Sequence, residues 1–352
     1  MNDIHVLCAG IDISKDSYHV SLLSRKLSDS TCTIKSLGKR KFENTITGHQ
    51  KFTEWIAVRS QAVAVQGSIR CVMEASGVYF EELAHILEHQ GYQVSVVLAN
   101  MVKHFAQSLN QHSKTDTIDA YVIARMGIER PLKIWEPYSP SSRKFKLLIR
   151  EREVLVRERT MVQNQLHAAE RAKYISAKTL NRMRKRIGFI SKQIKEVEAE
   201  VKVLLAQDDK LNHAVKTLTT INGIGLTTAC VLVAETDGFS LFRTRAQLIK
   251  YCGYDVVYNQ SGTSLNGKTR ISKKGNKHVR RVLYMAALTA MRGGIFKEVY
   301  ERQLERTEFT MKALVAVQRK LLITAYALVK NDSTYEEDYH KKRQANSMAG
   351  LQ

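Results

Sequence analysis

Four acidic residues stand out because of where they fall along the sequence. Asp12 and Glu74 each end an apolar segment that is typical of a buried β-strand, and the carboxyl ends of strands in an α/β sheet are where ligands are usually held. Asp116 and Asp119 are three residues apart in the first turn of a predicted helix, so their side chains project from one face. We predict that the four carboxylates converge on one point.

Converging carboxylates repel one another unless a cation neutralises them. Oxygen ligands suit Mg²⁺ or Mn²⁺, and two such ions about 4 Å apart stabilise the attacking and leaving oxygens of a phosphodiester transfer. Taken singly, Asp12 is also compatible with shaping a turn, Asp116 with capping its helix, and Glu74 and Asp119 with solvated positions. Their joint placement favours the metal site.

An actin-like sugar kinase offers a competing interpretation, because its first strand also ends in an aspartate. The phosphate-binding turn of that class needs a glycine two residues after the aspartate. This chain has Ser14 at that position, which argues against a kinase.

The elements that must position the acids follow from the hydrophobic pattern. Three β-rich stretches joined by turns come first, and strands then alternate with helices. This is the order of an RNase H-like (RuvC-like) α/β domain. The predicted strands are 5–13, 18–23, 40–43, 68–74 and 93–98, and the predicted helices are 48–59, 77–90 and one that starts at residue 115.

Charge is distributed unevenly along the chain. The formal net charge is +21, yet residues 1–140 contain 15 Lys/Arg and 14 Asp/Glu, so the rest of the chain supplies +20. A nucleic-acid backbone is the simplest partner for such a basic segment. A solubilising surface and an anionic membrane are the alternatives, and no amphipathic anchor favours the membrane.

Four parts are predicted along the chain. All three prolines, Pro131, Pro137 and Pro140, fall within ten residues and mark a linker. The apolar positions of 177–205, namely Met183, Ile187, Ile190, Ile194, Val197, Val201 and Leu204, repeat at alternating spacings of three and four, which is typical of a coiled coil. The parts are an RNase H-like domain at 1–135, a coiled-coil hairpin at 141–207, a mainly helical domain at 213–300 and a helical tail at 301–352, whose end from His340 is predicted to be disordered.

The basic part contains two nucleic-acid-binding candidates. Gly223 and Gly225 form a tight turn between two predicted helices, an arrangement that presents backbone N–H groups to phosphates or simply connects the helices. A polar loop at 258–267 precedes a cluster of basic residues, and Ser261 in it is by type an ordinary turn residue. The cluster consists of Lys268, Arg270, Lys273, Lys274, Lys277, Arg280 and Arg281.

The compartment is predicted from what the sequence lacks. Five cysteines lie far apart with no Cys-x-x-Cys pair, which disfavours a disulfide framework and structural zinc. The first apolar run is interrupted by Asp12 and Lys15 before it is long enough for a signal peptide or a membrane span. We expect a cytoplasmic protein.

Five motifs together resemble the DEDD transposases of bacterial insertion sequences, a group that includes a pilin-gene invertase and RNA-guided bridge recombinases. The resemblance covers about residues 1–294. Asn222 and the stretch 254–256 depart from the family, which more often has proline there. The motifs are GIDISKD from Gly10, EASGVYFE from Glu74, KTDTIDA from Lys114, INGIG from Ile221 and SGTSLNGKTRISKKGNKHVRRVLYMAA from Ser261.

The resemblance implies an RNase H-like domain, a coiled-coil middle and a C-terminal transposase domain. It implies that Asp12, Glu74, Asp116 and Asp119 bind the metal and that Ser261 attacks DNA to form a transient phosphoserine link. It also implies DNA as substrate, a structured guide (bridge) RNA as partner, and a homo-oligomer, either a dimer or a tetramer. A bacterial protein of this kind is expected to associate with the nucleoid when it is active. Two alternatives stay open: a RuvC-like junction nuclease that uses water, and a non-catalytic nucleic-acid-binding protein.

Overall fold

A computed structural model describes residues 4–26, 33–61, 63–65, 67–111, 113–261 and 265–337. These residues form a mixed α/β protein with twelve helices and two sheets. The chain divides into two compact units, Met1–Pro137 and Tyr138–Gln352. The finer division into four parts stays a prediction. No helix in the described ranges is both long enough and apolar enough to cross a bilayer.

The N-terminal unit is built on one sheet with the order β3-β2-β1-β5-β6. The strands β1, β2 and β3 form an antiparallel meander, whereas β5 and β6 run parallel to β1. This order and these directions fit the predicted RNase H-like domain. The elements are β1 (Ile4–Ile13), β2 (Ser17–Lys26), β3 (Ile34–Glu43), α1 (Ile46–Ser60), β4 (Ala64–Val65), β5 (Arg70–Glu74), α2 (Glu81–His89), β6 (Gln93–Val97), α3 (Ala99–Ser108) and α4 (Asp116–Glu129).

Two helices of this unit differ from the prediction. The helix α2 begins at Glu81 rather than at 77, because Gly77 has a left-handed φ of 62° and the residues after it form a turn. The helix α3 was not predicted, since it buries only Val102 and Phe105 and therefore has a weak apolar pattern. Both differences lie outside the elements that carry the four acids.

The second unit is mainly helical around one core, with a two-stranded hairpin. The predicted polar loop at 258–267 is wrong: its described residues belong to two antiparallel strands, with Val256 opposite Ile271 and Ser261 opposite Leu265. Hydrogen bonds between the two backbones stabilise these strands, so they form without the alternating apolar residues by which a strand is predicted from sequence. The elements are α5 (Pro140–Ala169), α6 (Ala177–Gln207), α7 (Asp209–Thr219), α8 (Leu226–Thr236), α9 (Arg245–Cys252), β7 (Val256–Ser261), β8 (Leu265–Ile271), α10 (Lys277–Ala290), α11 (Gly294–Thr307) and α12 (Thr310–Lys330).

The two longest helices, α5 and α6, pack against each other as an antiparallel hairpin. Arg152 bonds Glu198 near the base of the hairpin at 2.7 Å, and Arg184 bonds Glu170 near its end at 2.7 Å. The predicted α6 seam faces inward, with Met183 and Ile187 partly buried and the other five positions buried. The structure shows a helical hairpin but does not confirm a coiled coil. The predicted disorder from His340 falls outside the described residues.

Candidate functional site

Asp12 and Glu74 lie next to each other on adjacent parallel strands. The β1–β5 register pairs Ile11 with Met73, so the acids occupy the following position on each strand. Both side chains are half-buried. The sheet thus holds two carboxylates at its carboxyl edge, as the sequence predicted.

The helix α4 supplies the other two acids from its first turn. Thr115 caps the helix, its hydroxyl accepting a hydrogen bond from the backbone N–H of Ile118 at 3.3 Å. Asp116 therefore does not act as the cap. The positive end of the helix dipole favours carboxylates at both acidic positions.

Backbone contact holds α4 against the sheet. A Cβ atom on Gly10 would overlap the backbone oxygen of Ala120 and the backbone nitrogen of Ala124. A Cβ on Gly127, one turn further along α4, would overlap the Cys8 sulfur and the Val72 side chain. Two glycines thus let helix and strands approach more closely than side chains allow, which fixes the acids of α4 relative to Asp12.

Gly10→Ala is expected to destabilise the N-terminal unit by about 3 kcal/mol or more, because backbone atoms of α4 cannot move aside as a flexible side chain does. The matched control is Gly188→Ala, on an exposed part of α6 where a Cβ meets no atom. That change should stabilise the chain by about 0.5 to 1 kcal/mol. Urea unfolding measures both, and equal effects would contradict the packing argument.

The four carboxylates influence one another electrostatically. Burial, followed by the charges of Asp119, Asp116 and Glu74, raises the pKa of Asp12 to about 6, while the charge of Lys114 opposes this shift. The pKa values of Glu74 and Asp119 are also raised, in each case chiefly by burial and partly by a neighbouring acid. Like charges are therefore held together at a free-energy cost.

The acids fit a divalent cation by donor type and charge. All four donors are carboxylates, the preferred ligands of Mg²⁺, and a cation would offset the repulsion among their charges. Among the described residues, however, no three Asp, Glu, His or Cys side chains converge closely enough to hold one ion. The residues thus share an electrostatic field rather than a closed coordination sphere.

Three neighbouring residues were not predicted as part of this site. His19 lies opposite Asp12 in the β1–β2 register, and its Nδ1 is 3.4 Å from an oxygen of Asp116. Lys114 partly offsets the acidic charge. The side chain of Asn44 donates to the backbone oxygens of Ser14 and Tyr79 at 3.0 and 3.1 Å, and so joins the loops that follow Asp12 and Glu74.

The seven predicted basic residues of the second unit have different surroundings. Arg280 donates to the backbone oxygen of Cys252 at 2.8 Å, and Arg281 pairs with the buried Glu153, so both contribute to internal structure. The side chain of Lys268 is outside the described part of the structure. The exposed members are Arg270, Lys273, Lys274, Lys277 and also Arg281, which is exposed although it pairs with Glu153.

The two predicted glycines also differ. Gly223 has a φ of 92°, and a Cβ there would meet the backbone of α10 at Ala286 and Ala290. Gly225 caps the start of α8 and has open space around it. Packing accounts for Gly223, and phosphate binding by either glycine stays a prediction.

A buried ionic network supports the segment after the β7–β8 hairpin. Glu235 is 1% exposed and accepts two hydrogen bonds from Arg150, at 2.8 and 3.1 Å, and one from Asn276 at 2.7 Å. Burial works to raise the pKa of Glu235, but the bonds from Arg150 and Asn276 and the charge of Lys146 hold it below its usual range. Asn276 also caps α10, so the network joins α5, α8 and α10.

Glu235→Ala is expected to lower the free energy of unfolding by about 3 to 5 kcal/mol, because Arg150 and Lys146 lose their buried counter-charge. Glu305→Ala, on an exposed position of α11, is the matched control and should change stability by less than about 0.5 kcal/mol. Denaturant unfolding of the full chain measures both. A small effect at Glu235 would show that water replaces the carboxylate.

Comparison with known proteins places these features in a family context. The sequence matches a DEDD-type IS110 transposase family over residues 9–170 and the "Transposase IS116/IS110/IS902 family" over 215–301. It is 27% identical to the pilin gene-inverting protein of Moraxella bovis, covering 94% of this chain and 98% of the relative. It is 25% identical to the transposase for insertion sequence element IS1328 of Yersinia enterocolitica, covering 95% and 99%. A Thermus thermophilus RuvC structure matches 37% of this chain and 100% of its own at 12% identity, with a TM-score of 0.29.

Proposed function

This chain belongs to the IS110-type DEDD transposase family and is an enzyme that acts on DNA, and we propose that it cuts and rejoins DNA strands by metal-assisted phosphodiester transfer through a transient serine–DNA link. The observation that carries this proposal is the mutual electrostatic influence of Asp12, Glu74, Asp116 and Asp119 at one edge of the sheet. Acids with separate structural roles would not need to be held together at this cost in free energy.

The four acids would hold Mg²⁺ or Mn²⁺. When bound, the ion would offset charge on the scissile phosphate and favour loss of the proton from the attacking hydroxyl. The chain's own part is to hold the carboxylates in place, through the close contact at Gly10 and the position of Asp116 and Asp119 in the first turn of α4. Lys114 moderates the repulsion among the acids.

Ser261 is the proposed nucleophile. Its Oγ forms a bond to the phosphorus, the bond from phosphorus to the DNA 3′-oxygen breaks, and the proton released from the serine balances the one taken up by the leaving 3′-hydroxyl. In the second step the 3′-hydroxyl of another strand attacks the same phosphorus and Ser261 regains its proton. The phosphodiester energy is conserved, so the reaction needs no external energy source.

The basic second unit supports the binding of nucleic acid in this proposal. Residues 141–352 carry twice as many Lys/Arg as Asp/Glu, and neutralising phosphates releases counterions. Lys273, Lys274 and Lys277 are exposed candidates for this contact. We propose DNA as substrate, an element-encoded structured RNA as guide, and a homodimer or homotetramer as the active assembly.

One assay separates this function from its rivals. The full-length protein is incubated with end-labelled DNA that spans the flanks of its own gene, with Mg²⁺ or with EDTA. We expect a protein–DNA adduct and rejoined strands only when Mg²⁺ and the structured transcript from beside the gene are both present. Cutting without an adduct would favour a RuvC-like junction nuclease, and binding without cutting in either buffer would favour a non-catalytic protein.

The DNA around the gene distinguishes transposition from inversion. Element ends with an adjacent structured transcript favour RNA-guided transposition, whereas a neighbouring invertible promoter favours inversion. Adding the transcript to the assay tests the guide directly, since a guided enzyme forms no adduct without it.

A further inference from the structure

The α5–α6 hairpin extends well beyond the core of the second unit. That core includes α5 at Phe145, Leu148 and Ile149, and the last three turns of α6, from Val197 onward. Further out, only a small cluster around Val162 and Ile190 joins the two helices. From Ile149 to the end of α5, a rise of 1.5 Å per residue gives an extension of about 30 Å.

The outer part of this hairpin is strongly and uniformly basic. Residues 164–195 contain nine Lys/Arg and a single acid, Glu170. All nine basic side chains are exposed. In the described part of the chain, their ion pairs are surface ones, Arg184 with Glu170 at 2.7 Å and Lys192 with Glu196 at 3.8 Å, and such pairs contribute little to stability. The charge therefore has no structural explanation within the hairpin.

Part of this charge forms a stripe along one face of α6. The members are spaced alternately by four and three residues, so they lie on one face of the helix. The stripe faces away from the buried seam of α6 and includes a phenylalanine that is 63% exposed. Its members are Lys178, Arg182, Lys185, Phe189 and Lys192.

We propose that this stripe, residues 178–192 of α6, binds the phosphates that border the major groove of duplex DNA. The major groove of B-form DNA, about 12 Å wide, admits an α-helix, whereas the deep and narrow major groove of A-form RNA does not. A second copy of this chain is a poor match, because the stripe is cationic and the chain itself carries +21. The proposal takes from the proposed function only that DNA is the substrate.

Equilibrium binding of the full-length protein tests the surface without catalysis. The probe is a fluorescent DNA duplex of random sequence, about four helical turns long, in EDTA across a salt series. We expect Lys178→Gln with Arg182→Gln and Lys185→Gln to weaken binding by about 10- to 100-fold and to reduce the slope of log affinity against log salt by about 2 to 3.

Two matched variants control for folding and for general charge. Lys178→Arg with Arg182→Lys and Lys185→Arg keeps the charge and should bind like the wild type. Neutralising Lys210, Arg302 and Lys312, which are exposed elsewhere in the same unit, should leave the salt slope within about 1 of the wild type.

Three outcomes would overturn the proposal: unchanged DNA binding by the stripe variant, an equal loss in the control triple, or a loss confined to a duplex RNA of the same length. Failure of the proposed function gives a different result. In that case the wild type binds the duplex through the stripe, but it neither cuts nor rejoins DNA that spans the flanks of its own gene when Mg²⁺ and the flanking transcript are supplied.

Discussion

Asp12→Asn and Asp119→Asn are each expected to reduce strand cutting and rejoining by about 1,000-fold or more. Asparagine has nearly the same shape as aspartate but lacks the charge that binds a divalent cation, so the fold is kept while the metal site is lost. The measurement is adduct formation on labelled DNA with Mg²⁺. The matched control is Asp16→Asn, four residues along in the exposed β1–β2 turn, which should retain activity.

The same substitutions should stabilise the protein in EDTA. The folded-state pKa of Asp12 is about 6, above the unfolded value of about 3.9, so the folded state binds the proton more tightly. The contribution of Asp12 to the free energy of unfolding is then most favourable below about pH 4, and it is lost as the pH rises through about 6. Asp12→Asn should unfold at a higher temperature than the wild type at pH 7 and lose this pH dependence.

Mg²⁺ should reverse that order. Cation binding raises the unfolding temperature of the wild type by mass action, whereas the Asp12→Asn protein lacks a ligand and should respond little. Thermal unfolding with and without Mg²⁺ measures the difference. An inactive variant that is less stable in EDTA and still responds to Mg²⁺ would contradict the metal-site assignment, because it would give Asp12 a structural role.

Ser261→Ala is expected to abolish both the covalent adduct and the rejoined product, since no other atom of the side chain can bond to phosphorus. Metal binding should survive, so Mg²⁺ should raise the unfolding temperature of this variant as it does for the wild type. A denaturing gel of labelled DNA and protein detects the adduct. Together, the Ser261 and Asp12 variants separate nucleophile from metal site.

Ser264→Ala is the matched control for the nucleophile, since it removes a hydroxyl three residues along the same segment. It should form the adduct. If Ser261→Ala still forms an adduct and Ser264→Ala does not, the nucleophile is Ser264. If both variants cut DNA without forming an adduct, water is the nucleophile and the junction-nuclease alternative gains support.

The sequence predicted the acidic site well because strand ends and helix starts have strong local signals. The apolar runs before Asp12 and Glu74 and the cap before Asp116 all depend on neighbouring residues. His19 was predictable by the same logic, because residues equally distant from a hairpin turn face each other. Asn44 was not, since its contacts join loops about 30 residues away in either direction.

The basic cluster was harder to interpret for a related reason. Residue type alone does not distinguish an arginine that faces solvent from one that pairs with a buried acid. Arg281 and Arg270 look equivalent in sequence, but Arg281 pairs with Glu153 from a helix more than a hundred residues earlier. Such long-range partners have no signal in the local pattern, whereas the hairpin seam of α6 repeats locally and was predicted.

The contact between Gly10 and α4 makes the spacing of the acids independent of the surrounding core. Because the backbones of β1 and α4 are in direct contact at Gly10, their separation is set by covalent geometry and atomic radii. Substitutions that change the size of core side chains nearby can alter stability without changing the distance between Asp12 and Asp119. The N-terminal unit can therefore accumulate core changes while its carboxylates stay in place, provided that Gly10 and Gly127 are kept.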